Sequence, residues 1–265
     1  MKKYLVLLLF LISPAQAVDH SDWDELLNRH VTWVQNGTAS VVDYKGFSDD
    51  RKALKNYLSH LSSVRETEYE KLTRNEKLAF LINAYNAFTI ELILRHYPAI
   101  DSIKEIGNHF KQPWDIKFFR LIGEERKLNQ LEHKMIRVWF DEPLIHFVVN
   151  CASVGCPALR PEALTGDKLE AQMKDSTRRF LRDESRNRFD SGEDALRVTP
   201  ILDWYEEDFD TAGGVKAFLA EYAEQLGDTR AERQRIRQGD YNLDYLRYNW
   251  DLNIRKNVVD QGESR

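Results

Sequence analysis

The feature that most constrains this chain is a helix with no face to offer to water. Thr73-x-x-Glu76 is a capping box, in which the Thr and Glu side chains satisfy each other's backbone N–H groups, and Pro98 sets the far limit. Between them residues 74–96 are apolar nearly all round, through Leu78, Phe80, Leu81, Ile82, Tyr85, Phe88, Ile90, Leu92, Ile93 and Leu94. A surface helix keeps one polar side, so this one is predicted to be the buried centre of a domain. Asn83 and Asn86 interrupt it. Asn is a weak helix former, and a buried amide needs partners. Together with Tyr85 they read either as a hydrogen-bond network that clamps other segments to the helix or as the polar wall of a pocket.

Lys2 and Lys3 precede nine apolar residues, 4–12, and Ala15-Gln16-Ala17 is a small-x-small cleavage pattern. This is the form of an export signal removed after Ala17. Spanning a bilayer takes about 20 apolar residues, so no membrane span is expected here. The expectation is a soluble protein in the periplasm or outside the cell. Cleavage leaves 248 of 265 residues and moves the formal charge from −5 to −7, since only Lys2 and Lys3 are lost. The arginines of 178–179 and 230–237 are interleaved with acids. A net negative chain of this kind is a poor nucleic-acid binder, because phosphate neutralisation supplies most of that affinity.

No repeat, low-complexity stretch or long linker divides the chain. Helical periodicity is present at 23–34, ended by Asn36-Gly37, and at 49–64. After the central helix, 118–122 and 126–128 read as a hairpin. Asn129-x-x-Glu132 reads as a second capping box, opening a helix to about residue 140. Residues 145–150 read as a strand, 167–182 as a helix, and 188–189 with 195–198 as a second hairpin across Ser191-Gly192. A helix at 215–222, a last strand at 245–252 and a polar tail at 255–265 complete the pattern. Helices first and a small, mostly antiparallel sheet second make an α+β fold. The divisions are a signal at 1–17, an N-terminal helical region at 18–72, an α+β domain at 73–254 and a flexible tail at 255–265.

Chemistry concentrates in three places. Besides Asn83, Tyr85 and Asn86, there is Glu132-His133 with Arg137 one turn further along the same helix face. A helix N-terminus disfavours imidazolium, which would suit His133 as a neutral base, while Glu132 reads equally as a capping carboxylate. The third place is 144–160, which holds His146, Asn150, Ser153 and both cysteines of the chain, Cys151 and Cys156. Strand alternation would put His146 and Cys151 on opposite faces, whereas Cys156, beyond the turn, is free of that parity. A thiol near a helix N-terminus with a neighbouring His is the arrangement that activates it. Two cysteines in an oxidising compartment equally make a disulfide. There is no CxxC, no HExxH and no Cys/His cluster with zinc spacing, so neither a metal nor another cofactor is expected.

The successive segments LAFLINAYNAFTI, LNQLEHKMIR, IHFVVNCASVGCPALRPEAL and LDWYEEDF resemble the ordered motifs of the domain-of-unknown-function family 547, over 78–209. The resemblance implies an exported bacterial protein. It singles out Asn83, Tyr85, Asn86, Glu132, His133, Arg137, His146, Asn150, Cys151, Ser153, Cys156, Asp203 and Trp204. By analogy, thiol, imidazole and carboxylate in this order suggest a papain- or transglutaminase-like thiol site.

Two functions remain open. In one, a cysteine, preferably Cys156, attacks the carbonyl of a peptide or other small amide. His133 is then the base, Glu132 or an Asn orients it, and N–H groups of the 152–155 turn form the oxyanion hole. In the other, Cys151 and Cys156 form a structural bridge in a non-catalytic envelope module that binds a small molecule or peptide. Redox cycling is a third idea, but CxxxxC lacks the usual spacing. Asp203 is expected either to cap a helix or to meet Arg137 or His133, with Trp204 and Tyr205 packed over the thiol turn.

Overall fold

In a computed structural model, which describes residues 17–107 and 111–259, the central helix runs Arg74–Leu94. The Thr73 hydroxyl accepts from the Glu76 N–H, and the Glu76 carboxylate accepts from the Thr73 N–H at 2.8 Å. Every residue of 78–94 is buried. The helix is long and apolar enough to cross a membrane, yet it is enclosed by the rest of the fold. Trp23, Leu26 and Leu27 of helix Ser21–His30 and Leu54, Tyr57 and Leu61 of helix Arg51–Ser63 share its core. Each large apolar side chain buried here contributes about 1.5–3 kcal/mol, against helix propensities below about 0.7 kcal/mol, so packing holds the helix. A second core gathers Phe147, Phe180, Leu196, Leu202, Phe209 and Phe218 from the C-terminal half, and Leu144 packs against both.

The fold is α+β, with three small sheets among the described residues. β1 (Val31–Val34) pairs antiparallel with β2 (Ala39–Val42), and β3 (Phe119–Leu121) with β4 (Glu124–Arg126). β5 (Arg188–Asp190) pairs antiparallel with β6 (Ala195–Val198), which takes β7 (Asn242–Tyr245) as a parallel neighbour.

Several local expectations are corrected. The first helix stops at His30, and 31–34 turn into a strand. Asn36 and Gly37, both at positive φ (54° and 83°), form a hairpin connection there rather than a helix end. That conformation suits Asn and Gly, and the β-branched Val31, Thr32 and Val34 suit a strand. Residues 145–150 are not a strand. A short 3-10 helix, Pro143–Phe147, starts on Pro143 with the Glu142 carboxylate accepting from the Leu144 N–H. His146, Phe147 and Val148 are all buried, so no alternation existed to read.

Asn129-x-x-Glu132 does not cap its helix, which begins at Leu128 and has no side-chain cap. The last strand lies at 242–245, and the chain beyond it forms only isolated bridges, Ser153 with Leu252 and Ser102 with Asp251. The tail begins as a helix, Arg255–Val259, whose Val258 is buried against Ala39 and Val41. The signal at 1–17, apart from Ala17, and the tail from 260 lie outside the described residues.

Candidate functional site

The two asparagines of the central helix act as substitutes for backbone. Asn86 donates to the Val148 carbonyl (3.0 Å) and accepts from the Asn150 N–H (2.9 Å). Asn83 exchanges the same pair of bonds with Leu164, at 2.8 and 3.1 Å. Each thereby satisfies a loop that no strand pairs, and the loop is fixed on the helix. Asn150 continues the clamp. Its amide donates to the Pro157 carbonyl (2.7 Å) and accepts from the Ala152 N–H (2.9 Å), folding the 150–157 turn on itself. None of the three is among the residues that line the cavity described below.

Cys151 and Cys156 close that turn as a disulfide, with Cα atoms 6.1 Å apart. Cys156, expected to be the more accessible, is the buried member, and Cys151 is half-buried. The Tyr248 hydroxyl lies 3.1 Å from each sulfur and 3.0 Å from the Ser153 hydroxyl. A Cβ on Gly155 would stand 2.9 Å from the Tyr248 ring, so the ring's seat requires a glycine. Three of the turn N–H groups are engaged. Val154 donates to Asp251 and Gly155 to Asn249, both at 2.8 Å, and Ala152 bonds to Asn150 as above. Those three N–H groups are not available to an oxyanion.

The helix carrying Glu132, His133 and Arg137 is continuous over 128–140, but 131–136 is wound as a π-helix. Such bulges recur at functional sites because they re-aim side chains within a helix. Arg137 donates to Nδ1 of His133 at 2.9 Å. A guanidinium has no acceptor, so the ring proton sits on Nε2. His133 lies well past the first turn, and this arginine governs its tautomer rather than a helix terminus. Glu132 turns inward and accepts from the Tyr205 hydroxyl at 2.7 Å. Burial, then the Glu132 charge, holds the Tyr205 and Tyr85 hydroxyls protonated well beyond the ordinary phenol range.

Arg137 also grips Asp208, through Nε (2.6 Å) and a second nitrogen (2.7 Å), and Nε2 of His146 donates to the same carboxylate at 2.6 Å. Burial works against the charged form of Asp208. The bonds from His146 and Arg137 outweigh it and hold the carboxyl well below the usual range. Tyr205 lies on the His146 ring, with centroids 4.0 Å apart, and Arg137 covers it at 4.8 Å. Asp203 is exposed and takes neither expected role, since Pro200 stands at the N-cap of its short helix. Tyr205 was expected to pack over the thiol turn and instead lies on His146, while Asp208 went unnoticed at the sequence level. A further acid in the LDWYEEDF segment, beyond Asp203, was the available signal.

These groups surround a cavity of about 310 Å³. Glu132, His133, His146 and the disulfide share its wall with Tyr85, Trp114, Trp204, Tyr205, Tyr248 and Trp250. Trp204 is 47% exposed at the mouth and stacks on Trp250, whose ring also meets Tyr248. Among the described residues, no three of His, Cys, Asp and Glu come together to hold a metal ion.

The class so defined is an α+β protein with an aromatic cavity walled by a disulfide and a π-wound helix. Residues 69–181 match the family described as "Protein of unknown function, DUF547", which supports the resemblance read from the motifs over this span. No curated protein and no solved structure matches it. The match holds Glu132, His133, Arg137, His146 and both cysteines, while Tyr205, Asp208, Tyr248 and Trp250 lie beyond it.

Proposed function

We propose that this chain is an exported envelope module that binds a small molecule or a peptide side chain in the aromatic cavity. The carrying observation is the cavity itself, concave and walled by six Tyr and Trp rings with a few convergent polar groups, the usual make-up of a ligand site. Export is supported by the pattern of 1–17 and by the bridged cysteines. On this view the disulfide is a wall, and the asparagines are its scaffold. The test is an NMR screen of the mature chain with cationic, neutral and anionic fragments, following the indole resonances of Trp114, Trp204 and Trp250. A set in which no fragment moves these signals would sink the binding reading. Mass spectrometry of the periplasmic fraction should find the mature chain starting at Val18.

A second reading, a Cys-His thiol enzyme of papain- or transglutaminase-like type acting on a peptide or amide, keeps one support. Both sulfurs and His133 line the same cavity. Against it stand the bridge and the engaged N–H groups of Ala152, Val154 and Gly155. Iodoacetamide labelling of protein purified from the periplasm decides. Two reactive thiols would favour the enzyme, and none would favour the binding module.

A further inference from the structure

The charge pattern of the cavity goes beyond the fact of binding, and the inference rests on the binding reading. Glu132 is only 7% exposed, and the Tyr205 hydroxyl that bonds to it is neutral, as is the hydroxyl of Tyr85. The basic group beside it among the described residues is Nε2 of His133, 4.0 Å from Oε1, beyond hydrogen-bonding reach. Nearby charges are already matched. Arg137 is held by Asp208 at 2.6 Å, and Asp115 by Lys127 at 2.6 Å. Among the described residues, neither Lys nor Arg lines the cavity.

A nearly dehydrated carboxylate without a cationic partner is costly, and the faces of aromatic rings attract cations. Two rings of this wall already hold cations from within the protein. Lys104 lies 4.8 Å from the centre of Trp250, and Arg137 lies at the same distance from Tyr205. We propose that the cavity binds the ammonium group of a small organic amine, with the head group against Glu132 and the carbon chain on Trp204 and Trp250.

The test titrates the mature chain with n-butylammonium, n-butanol and butyrate, following the Trp204 and Trp250 indole resonances. The expected order is ammonium first, with affinity falling at least tenfold in Glu132→Gln and on raising the salt concentration. Butanol or butyrate binding as tightly as the ammonium would overturn the amine assignment while leaving a ligand site. Silence to all three probes would overturn it too, and the broader fragment screen then decides whether any ligand site exists. Should Glu132→Gln fail to fold, the order of the three probes on the unaltered chain decides between these outcomes alone.

Discussion

Asp208 accepts a 2.6 Å hydrogen bond from Nε2 of His146, a residue 62 positions earlier. The bond fixes which imidazole nitrogen carries the proton and sets the ring flat against Tyr205. A histidine inside the family match is thus oriented by a carboxylate outside it. The site is therefore a joint product of the central and C-terminal parts of the chain.

Asp208→Asn should remove the charge that Arg137 and His146 share. Charge-assisted hydrogen bonds contribute about 1.5–3 kcal/mol each in favourable cases, so a loss of about 2 kcal/mol at pH 7 is expected. The carboxyl titrates below its ordinary value of 3.8, so its stabilisation is complete above that value and disappears as pH falls through the folded value. Urea unfolding at pH 7 and pH 3 should show the gap between variant and parent narrowing only in part at pH 3, which lies below the ordinary carboxyl value but above the folded one. A gap that grows on acidification would contradict this.

His20 gives a separate acid response at a higher pH. Burial, then the His60 charge, lowers its pKa from 6.5 to about 4, and its Nδ1 lies 2.7 Å from the Tyr57 hydroxyl. A histidine with a lowered folded pKa stabilises the fold above the unfolded value, and that contribution drains away as pH falls from 6.5 towards 4. At about 1.4 kcal/mol per pH unit the loss approaches about 3 kcal/mol. NMR titration of the His20 ring should show a midpoint well below 6, and a midpoint at or above 6.5 would refute the assignment.

Asn86→Leu removes two bonds to buried backbone at once. The Val148 carbonyl and Asn150 N–H would be left unpaired, at about 1–3 kcal/mol each. Chemical denaturation should register about 2–5 kcal/mol. Hydrogen exchange should speed up at Asn150 more than at the ends of the central helix.

Gly155→Ala would force the Tyr248 ring away from the disulfide. Overpacking of this kind costs about 1–3 kcal/mol. In Tyr248→Ala the same glycine change should cost much less, and a double-mutant cycle reads the difference. Additive costs would mean that the ring does not impose the glycine.

Replacing Cys151 and Cys156 together by alanine should cost about 2 kcal/mol, the low end for a bridge, because the loop is short. A loss above about 5 kcal/mol would show that the bridge does more than close a turn.

The central helix was legible because every signal agreed: a capping box, an unbroken apolar surface and a proline beyond. The hairpins at Gly123 and Ser191-Gly192 were legible from their turn residues. The 145–150 segment was not, since a fully buried stretch has no polar face to betray its period. Glu132 misled because its spacing from Asn129 imitates a capping box while the π-wound turn points it at Tyr205 instead. Glu132, His133, Arg137 and His146 were all identified as candidates. The meeting of Arg137 and His146 at Asp208 depends on contacts across 71 and 62 residues, which no local pattern encodes.

The segment 248–253 has a consequence for the order of assembly. Tyr248 seats on Gly155, Leu252 bridges Ser153, and Asn253 reaches Asn150 across 103 residues and accepts from Tyr44 across 209. Closing so long a loop is entropically slow, and little is gained until both ends are in place. The strap should therefore dock late in folding, onto a helix and clamp already formed. Until it docks, the disulfide turn lacks its aromatic cover, and a newly made chain should pass through an interval in which this bond is open to exchange.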